Sequence, residues 1–208
     1  MTEPFADEPF EPEVLERRPA FTGRVWDVVS ESFRYLDETL HRDYVDHPGA
    51  VAIAALDEED RVCCIRQYRH PVRSREWELP AGLLDVDGEP PLAAAQRELA
   101  EEVDLVAADW RLLADFLTSP GGSDEAIRVY LARGLAPTPA PFPRTGEERD
   151  LLRRWVPLDE AVTAVREGRV QNAIIQVALL AAWFERERGW TGLRAPETPW
   201  IRQRTRGR

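Results

Sequence analysis

The segment spanning residues 81–105 constrains the fold more than any other, because it joins a glycine-containing loop to an amphipathic helix. Apolar side chains at helical spacing predict that helix over residues 90–103. The stripe that they form consists of Leu92, Ala95 or Gln96, Leu99 and Val103. Such a helix has to bury its apolar face, so the rest of the chain must supply a sheet or other helices for it to pack on.

Three glutamates lie on the same predicted helix. Glu102 is four residues and Glu101 three residues after Glu98, so the three carboxylates share one face, which we expect opposite the apolar stripe. Like charges at this spacing repel by roughly 0.2–0.5 kcal/mol per pair. A solvated acidic surface is one interpretation, and a face that binds a hard divalent cation is the other. A further carboxylate in the preceding loop, Glu89, and the guanidinium of Arg97 favour the cation site.

The rest of the main domain, residues 47–195, alternates apolar runs with turns. Short apolar runs predict strands at 50–56, 61–68, 110–117, 126–131 and 153–156. Helices are predicted at 159–167 and 170–187. This order of elements predicts the α+β class, with helices packed against a sheet.

The N-terminal region differs in composition from this domain. Residues 1–13 are rich in proline and carboxylates and predict a disordered tail, and 196–208 predict a second, charged tail. Between the N-terminal tail and the main domain, residues 14–46 contain three β-like runs, at 24–29, 32–36 and 41–45. Their apolar content is too small for an independent fold, so this antiparallel sheet must dock on something else, such as another subunit.

Charge and cysteine content limit the partners and the compartment. A net charge of −11 argues against a nucleic-acid polymer, which is bound through an excess of Lys and Arg. The two cysteines are the neighbours Cys63 and Cys64, which we expect to be small buried residues in a reducing compartment. The acidic N-terminus is unlike a signal peptide, and no apolar run approaches the length of a membrane span. We therefore expect a cytoplasmic protein.

The spacing of the charged residues resembles the Nudix box. That pattern is Gly, five residues, Glu, seven residues, and then Arg-Glu-aliphatic-x-Glu-Glu-x-Gly-aliphatic. Seven residues separate Glu89 from Arg97, and residues 97–105 supply the remainder apart from one position. Six residues instead of five follow Gly82, and Asp104 stands where glycine is usual. Asp tolerates the left-handed conformation of a helix C-cap better than most residues, so neither departure removes a carboxylate.

This resemblance, which covers residues 48–187, implies the Nudix fold, a mixed sheet sandwiched by helices. It also implies hydrolysis of a nucleoside diphosphate linked to another group, with Mg²⁺ as the cofactor and Mn²⁺ as an alternative metal. In the family, box carboxylates and the backbone carbonyl beside the box glycine bind the metal. The metal ligands implied here are Ala81, Glu98, Glu101 and Glu102. Arg97 and Glu89 are implied to orient them.

A segment after the box resembles the ADP-ribose pyrophosphatase branch of this family. In that branch a proline follows the box by about fifteen residues, and Pro120 lies fifteen residues after Leu105. It is part of residues 119–125, which are similar to the branch's Ser-Pro-Gly-x-Ser-x-Glu run. The implied substrate contacts are Ser123 and Glu125, although Pro-Gly is also a general turn signal.

A second segment, before the box, resembles the same branch. There, an arginine at a strand end and a glutamate preceding the box reach the ligand, which implies these roles for Arg69 and Glu78. A guanidinium suits phosphate and an aromatic ring suits adenine, so Tyr68 and Trp26 are candidate stacking surfaces. Trp26 is as easily explained as a core residue.

The resemblance implies a general base on a mobile loop after the box. The candidates there are Glu147 and Glu148, with Glu147 slightly favoured, and a box glutamate such as Glu101 is the alternative. Enzymes of this branch are homodimers whose N-terminal sheets pack across the two-fold axis, so residues 14–46 are expected to act as a dimerisation unit.

Three functions remain in competition at this point. The favoured one is hydrolysis of ADP-ribose to AMP and ribose 5-phosphate. A second keeps the chemistry and changes the substrate to a nucleotide sugar or a damaged nucleoside triphosphate. A third, a ligand-sensing regulator without catalysis, predicts a DNA-binding helix pair and a basic face, and the sequence shows neither.

Overall fold

A computed structural model of the protein describes residues 5–143 and 150–200. Within those ranges, the strands are β1 (Val14–Thr22), β2 (Asp27–Tyr35), β3 (Glu38–Asp46), β4 (Ala50–Ala55), β5 (Arg61–Arg69), β6 (Ser74–Glu78), β7 (Ala81–Leu83), β8 (Leu105–Leu117), β9 (Ala126–Pro137) and β10 (Leu152–Pro157). The helices are α1 (Pro91–Val103), α2 (Leu158–Arg166) and α3 (Ala173–Glu187). The predicted α+β class is confirmed.

The chain forms two compact units, and the first comprises residues 1–47 and 119–124. Its strands form an antiparallel sheet in the order β1-β2-β3. The bounds predicted for the first two strands, 24–29 and 32–36, were wrong. β2 joins the second half of the first run to most of the second, and β1 lies earlier in the chain. β1 escaped prediction because it is an edge strand, which tolerates Pro19 and needs no buried face.

The second unit contains two sheets. One has the order β10-β5-β6, and the other has the order β7-β4-β9-β8, in which β4 and β9 are parallel. Every residue of β4 is buried, and its side chains alternate between two cores. Val51 and Ile53 face the core that α1 covers, whereas Ala52 and Ala54 face the core that α2 and α3 cover. The sheets therefore lie between α1 on one side and the other two helices on the opposite side.

The neighbouring cysteines illustrate this alternation. Cys63 belongs to the core beneath α1 and Cys64 to the opposite core, and both thiols are free and buried. Burial raises the pKa of each thiol to about 12, so both stay protonated at neutral pH.

Local signals explain the bounds of α1. Pro90 is its N-cap and Pro91 its first residue, a position where the missing N–H is no loss. The helix ends at Asp104, which adopts the left-handed conformation with φ 56° and ψ 39°. The Asp104 carboxylate also accepts a hydrogen bond from the Phe142 N–H at 2.7 Å. Asp104 therefore performs the capping that the usual glycine provides, and the carboxylate gives it a partner that glycine lacks.

The C-terminal helix is shorter than predicted. α3 begins after Asn172, because the Asn172 side chain accepts hydrogen bonds from the N–H groups of Ile174 and Ile175, as an N-cap does. Beyond it, residues 196–200 of the predicted tail contact the fold, and the Trp200 side chain is buried. None of the helices in the described part of the chain is both long and apolar enough to cross a bilayer.

Candidate active site

The guanidinium of Arg97 organises the carboxylates that the sequence singled out. It binds both oxygens of Glu89, with N–O distances of 3.0 and 2.9 Å. Its third nitrogen donates to Glu98 at 2.6 Å and to Glu101 at 3.3 Å. Hydrogen bonding to these partners raises the pKa of Arg97 above its ordinary value and lowers the pKa of Glu89. The cluster therefore holds a permanent positive charge beside the Glu89 carboxylate.

The loop before the helix packs against two of the glutamates. The Ala81 N–H donates to a carboxylate oxygen of Glu102 at 2.9 Å. At Gly82, an added Cβ would collide with the Cγ, Cδ and Oε1 atoms of Glu98. Glycine at position 82 leaves room for this close approach of the Glu98 side chain. The φ angle of Gly82 lies outside the left-handed region, so its backbone conformation alone does not call for glycine.

Glu102 was expected to lie opposite the apolar stripe, and this expectation is wrong. Its side chain is only 7% exposed and is buried along with Leu99 and Val103. The small residues Ala94 and Ala95 are also buried on α1, and β7 contacts this helix. The acidic face of α1 therefore adjoins its buried face, and β7 packs against Glu98 and Glu102.

The donor set suits a hard divalent cation. Glu98, Glu101 and Glu102 offer carboxylate oxygens on one helix face, and the Ala81 carbonyl belongs to the strand that contacts it. In residues 5–143 and 150–200, no three acidic, histidine or cysteine side chains are placed so that they could hold a metal ion. Glu98 is turned toward Arg97 and Glu102 toward the Ala81 amide, so metal binding requires these carboxylates to rotate. The chemistry of these carboxylates fits such a metal.

A second polar cluster lies at the end of β5. Arg69 donates two hydrogen bonds to Glu78, at 2.8 and 2.7 Å, and Gln67 donates a third at 3.2 Å. Glu78 is buried, whereas the Arg69 side chain is 45% exposed. The Tyr68 hydroxyl lies 3.1 Å from a ring nitrogen of the exposed His70. The structure thus brings Arg69 and Glu78 together and places Tyr68 on the opposite face of the strand.

Sequence reasoning missed Gln67 in this cluster. The alternation of β5 puts Gln67 and Arg69 on the same face, and that period was available in the sequence. The pairing of Gln67 and Arg69 with Glu78 could not be predicted from the sequence, because it depends on the register between β5 and β6.

The remaining predicted residues fall in three places. Glu125 accepts a hydrogen bond from the Thr118 hydroxyl at 2.6 Å, which closes the base of the intervening loop. Trp26 and Ser123 belong to the N-terminal unit, where Ser123 bridges to Val45 and the Trp26 ring lies 5.8 Å from that of His47. Trp26 is 45% exposed, so it is not a core residue within its unit. Glu147 and Glu148 lie outside the described residues.

The carboxylate helix, the glycine loop and the layered sheets define the class of protein. A family model described as the NUDIX domain matches residues 46–176, more than half of the chain. The protein belongs to the Nudix hydrolase family, and the predicted Nudix fold is confirmed.

The chain is similar to several named proteins. An ADP-ribose pyrophosphatase of Mycobacterium tuberculosis is 46% identical over 160 residues, which cover 77% of this chain and 76% of the relative. A methanol dehydrogenase activator of Bacillus methanolicus is 34% identical over 82% of this chain and 91% of its own length. A solved structure titled as an ADP compounds hydrolase matches with a TM-score of 0.71 at 21% identity, covering 88% of this chain and 99% of that one.

Proposed function

We propose that this protein hydrolyses the pyrophosphate bond of ADP-ribose to give AMP and ribose 5-phosphate. The observation that carries the proposal is the acidic face of α1, where Arg97 and the 81–83 loop hold Glu98, Glu101 and Glu102 together. The relative that is 46% identical and acts on ADP-ribose supports this substrate over other nucleoside diphosphate compounds.

The proposed cofactor is Mg²⁺, with Mn²⁺ as a substitute, bound by Glu98, Glu101, Glu102 and the Ala81 carbonyl. When bound, such a metal neutralises charge on phosphate oxygens and lowers the pKa of a coordinated water. Arg97 and Glu89 orient the carboxylates through the hydrogen bonds already described. The proposed general base is Glu147 or Glu148, and the alternative is Glu101, whose side chain is 44% exposed and accessible to water.

Substrate recognition is proposed for the β5 cluster. Arg69 has a half-exposed guanidinium fixed by a buried carboxylate, so binding a phosphate there costs less side-chain entropy than it would for a mobile arginine. Tyr68 and Trp26 offer partly exposed rings for adenine, and Ser123 and Glu125 are proposed to contact the ligand. The free cysteines support a reducing, cytoplasmic location for the reaction.

Substrate preference tests this proposal. We expect kcat/KM to be highest for ADP-ribose when it is compared with GDP-mannose and an oxidised guanine triphosphate under the same Mg²⁺ concentration. The physical reason is that a site whose polar groups pair with adenine, a diphosphate and a terminal ribose leaves some of them unpaired when guanine, mannose or a triphosphate takes their place. A tenfold preference for the triphosphate would contradict the substrate while leaving the family chemistry intact.

A homodimer is proposed on the N-terminal sheet. Every residue of β1 is exposed, and the unit presents large apolar side chains to solvent, among them Val14, Leu15, Phe21, Trp26 and Tyr35. A contact between two such sheets is expected to bury about 2,000 Å² or more, as obligate dimers do. Light scattering at micromolar concentration is expected to give the mass of two chains. The mass of one chain would contradict the dimer.

A further inference from the structure

The segment after α3 is bound along the outer edge of β8. Arg194 and Leu112 exchange backbone hydrogen bonds, at 3.0 and 3.4 Å, so this segment extends the sheet by one bridge. A tight turn follows, in which the N–H and the hydroxyl of Thr198 both donate to the Ala195 carbonyl. This turn reverses the chain and directs Trp200 back toward the sheet.

A buried arginine holds Trp200 in place. Arg128 of β9 is 3% exposed and forms a two-pronged ion pair with Asp115, at 2.8 and 3.0 Å. Its remaining terminal nitrogen donates to the Thr198 carbonyl at 2.8 Å, and its guanidinium carbon lies 4.9 Å from the centre of the Trp200 ring. Trp200 is itself 9% exposed. A buried guanidinium is stable only when its donors are satisfied, so Arg128 links the C-terminal segment to the sheet core.

Gly49, just before β4, lies close to both Trp200 and the box loop, residues 84–90 between β7 and α1. Gly49 has φ +84°, and its carbonyl accepts a hydrogen bond from the Leu84 N–H at 3.0 Å. A Cβ added to Gly49 would lie 3.7 Å from the Leu84 side chain and 3.9 Å from the Trp200 ring. It would also approach the Ala126 carbonyl at the start of β9 to 3.3 Å. The start of β4, the start of β9, the box loop and Trp200 therefore pack around one point.

Only a short path connects this point to the carboxylates. Leu84 directly follows β7, which pairs with β4 through three residues: Ala81, Gly82 and Leu83. Gly82 packs on the Glu98 side chain and the Ala81 N–H binds Glu102. A three-residue strand has few hydrogen bonds of its own to resist displacement, so its position depends on the packing at its end.

We propose that Trp200, held by Arg128, is a positioning residue for the carboxylate face of α1. It packs at Gly49, whose carbonyl holds the Leu84 N–H, and so fixes the end of β7, the strand that carries Ala81 and Gly82. This role rests on the proposed metal-dependent hydrolysis, and its consequence is that divalent-metal affinity depends on a side chain beyond the last helix.

The test is the Mn²⁺ affinity of Trp200→Ala, measured by the electron paramagnetic resonance signal of free Mn²⁺ without substrate. We expect affinity to fall by about tenfold, the loss typical of residues that orient metal ligands, and kcat to fall with it. Trp200→Phe keeps an aromatic ring against Arg128 and is expected to retain most of the affinity. Trp200→Leu replaces the alanine variant if that one does not fold.

The matched control is Trp190→Ala. The Trp190 ring also lies 4.9 Å from an arginine, Arg133, and packs on a core, but it is not among the atoms nearest to a Cβ added at Gly49 or Gly82. It is expected to lower the melting temperature and to leave Mn²⁺ affinity unchanged. If folded Trp200→Ala, or Trp200→Leu in its place, binds Mn²⁺ within twofold of the wild type, the positioning role is wrong. If the wild type binds Mn²⁺ but does not hydrolyse ADP-ribose, the proposed substrate is wrong. The comparison of Mn²⁺ affinity between the wild type and the Trp200 variants would still test the positioning role.

Discussion

Glu102→Gln is expected to lower kcat for ADP-ribose by roughly two orders of magnitude or more while the protein stays folded. Glutamine has the same shape, and its amide oxygen can still accept the hydrogen bond from the Ala81 N–H. The substitution removes one negative charge from a nearly buried position on the acidic face, so it weakens the attraction for a divalent cation. Steady-state hydrolysis and thermal unfolding should be measured on the same preparation.

Glu160→Gln is the matched control for this substitution. Glu160 is an exposed glutamate of α2 that pairs with Arg154 on the surface, where an ion pair contributes little to stability. It is expected to leave both kcat and the melting temperature near the wild-type values. Normal hydrolysis by folded Glu102→Gln would show that the carboxylate face of α1 does not hold the metal.

Gly82→Ala is expected to lower kcat by about 100-fold, because a methyl group at this position takes the space of the Glu98 side chain. The backbone conformation of Gly82 is open to alanine, so the collision is the whole effect. Glu98 is a flexible side chain and can turn away, which preserves the fold and misplaces the carboxylate. Turnover should therefore fall much more than the free energy of unfolding, and kcat measured at saturating metal separates this loss from weaker metal binding.

Gly168→Ala provides the opposite pattern as a control. Gly168 has φ +70° after α2 and has no neighbour within 4 Å of an added Cβ. Alanine there is expected to cost about 1 kcal/mol of stability through backbone strain and to leave kcat unchanged. A Gly82→Ala variant with wild-type kcat would contradict the close packing of the 81–83 loop on Glu98.

Local sequence signals were sufficient for α1 and its cap. The proline pair at its start, the apolar spacing and the tolerance of Asp104 for the left-handed region all act within a few residues of one another. The same holds for the shared face of Glu98 and Glu102, which follows from helical periodicity alone.

Tertiary packing determined what the sequence could not indicate. Glu102 is buried where β7 comes close to α1, and Gly82 leaves room there for the Glu98 side chain. Trp200 lies in a charged C-terminal stretch that predicts a loose tail, and its burial depends on Arg128, distant in sequence. Contacts between residues far apart in the chain leave no periodic signal in either segment.

Product analysis tests the central claim most directly. The full-length protein is incubated with ADP-ribose and Mg²⁺, and the products are separated by ion-exchange chromatography with a chelator-treated sample beside it. We expect AMP and ribose 5-phosphate in equal amounts, and neither product once the metal is removed. Intact ADP-ribose after incubation of the folded protein with Mg²⁺ or Mn²⁺ would contradict the proposed hydrolysis.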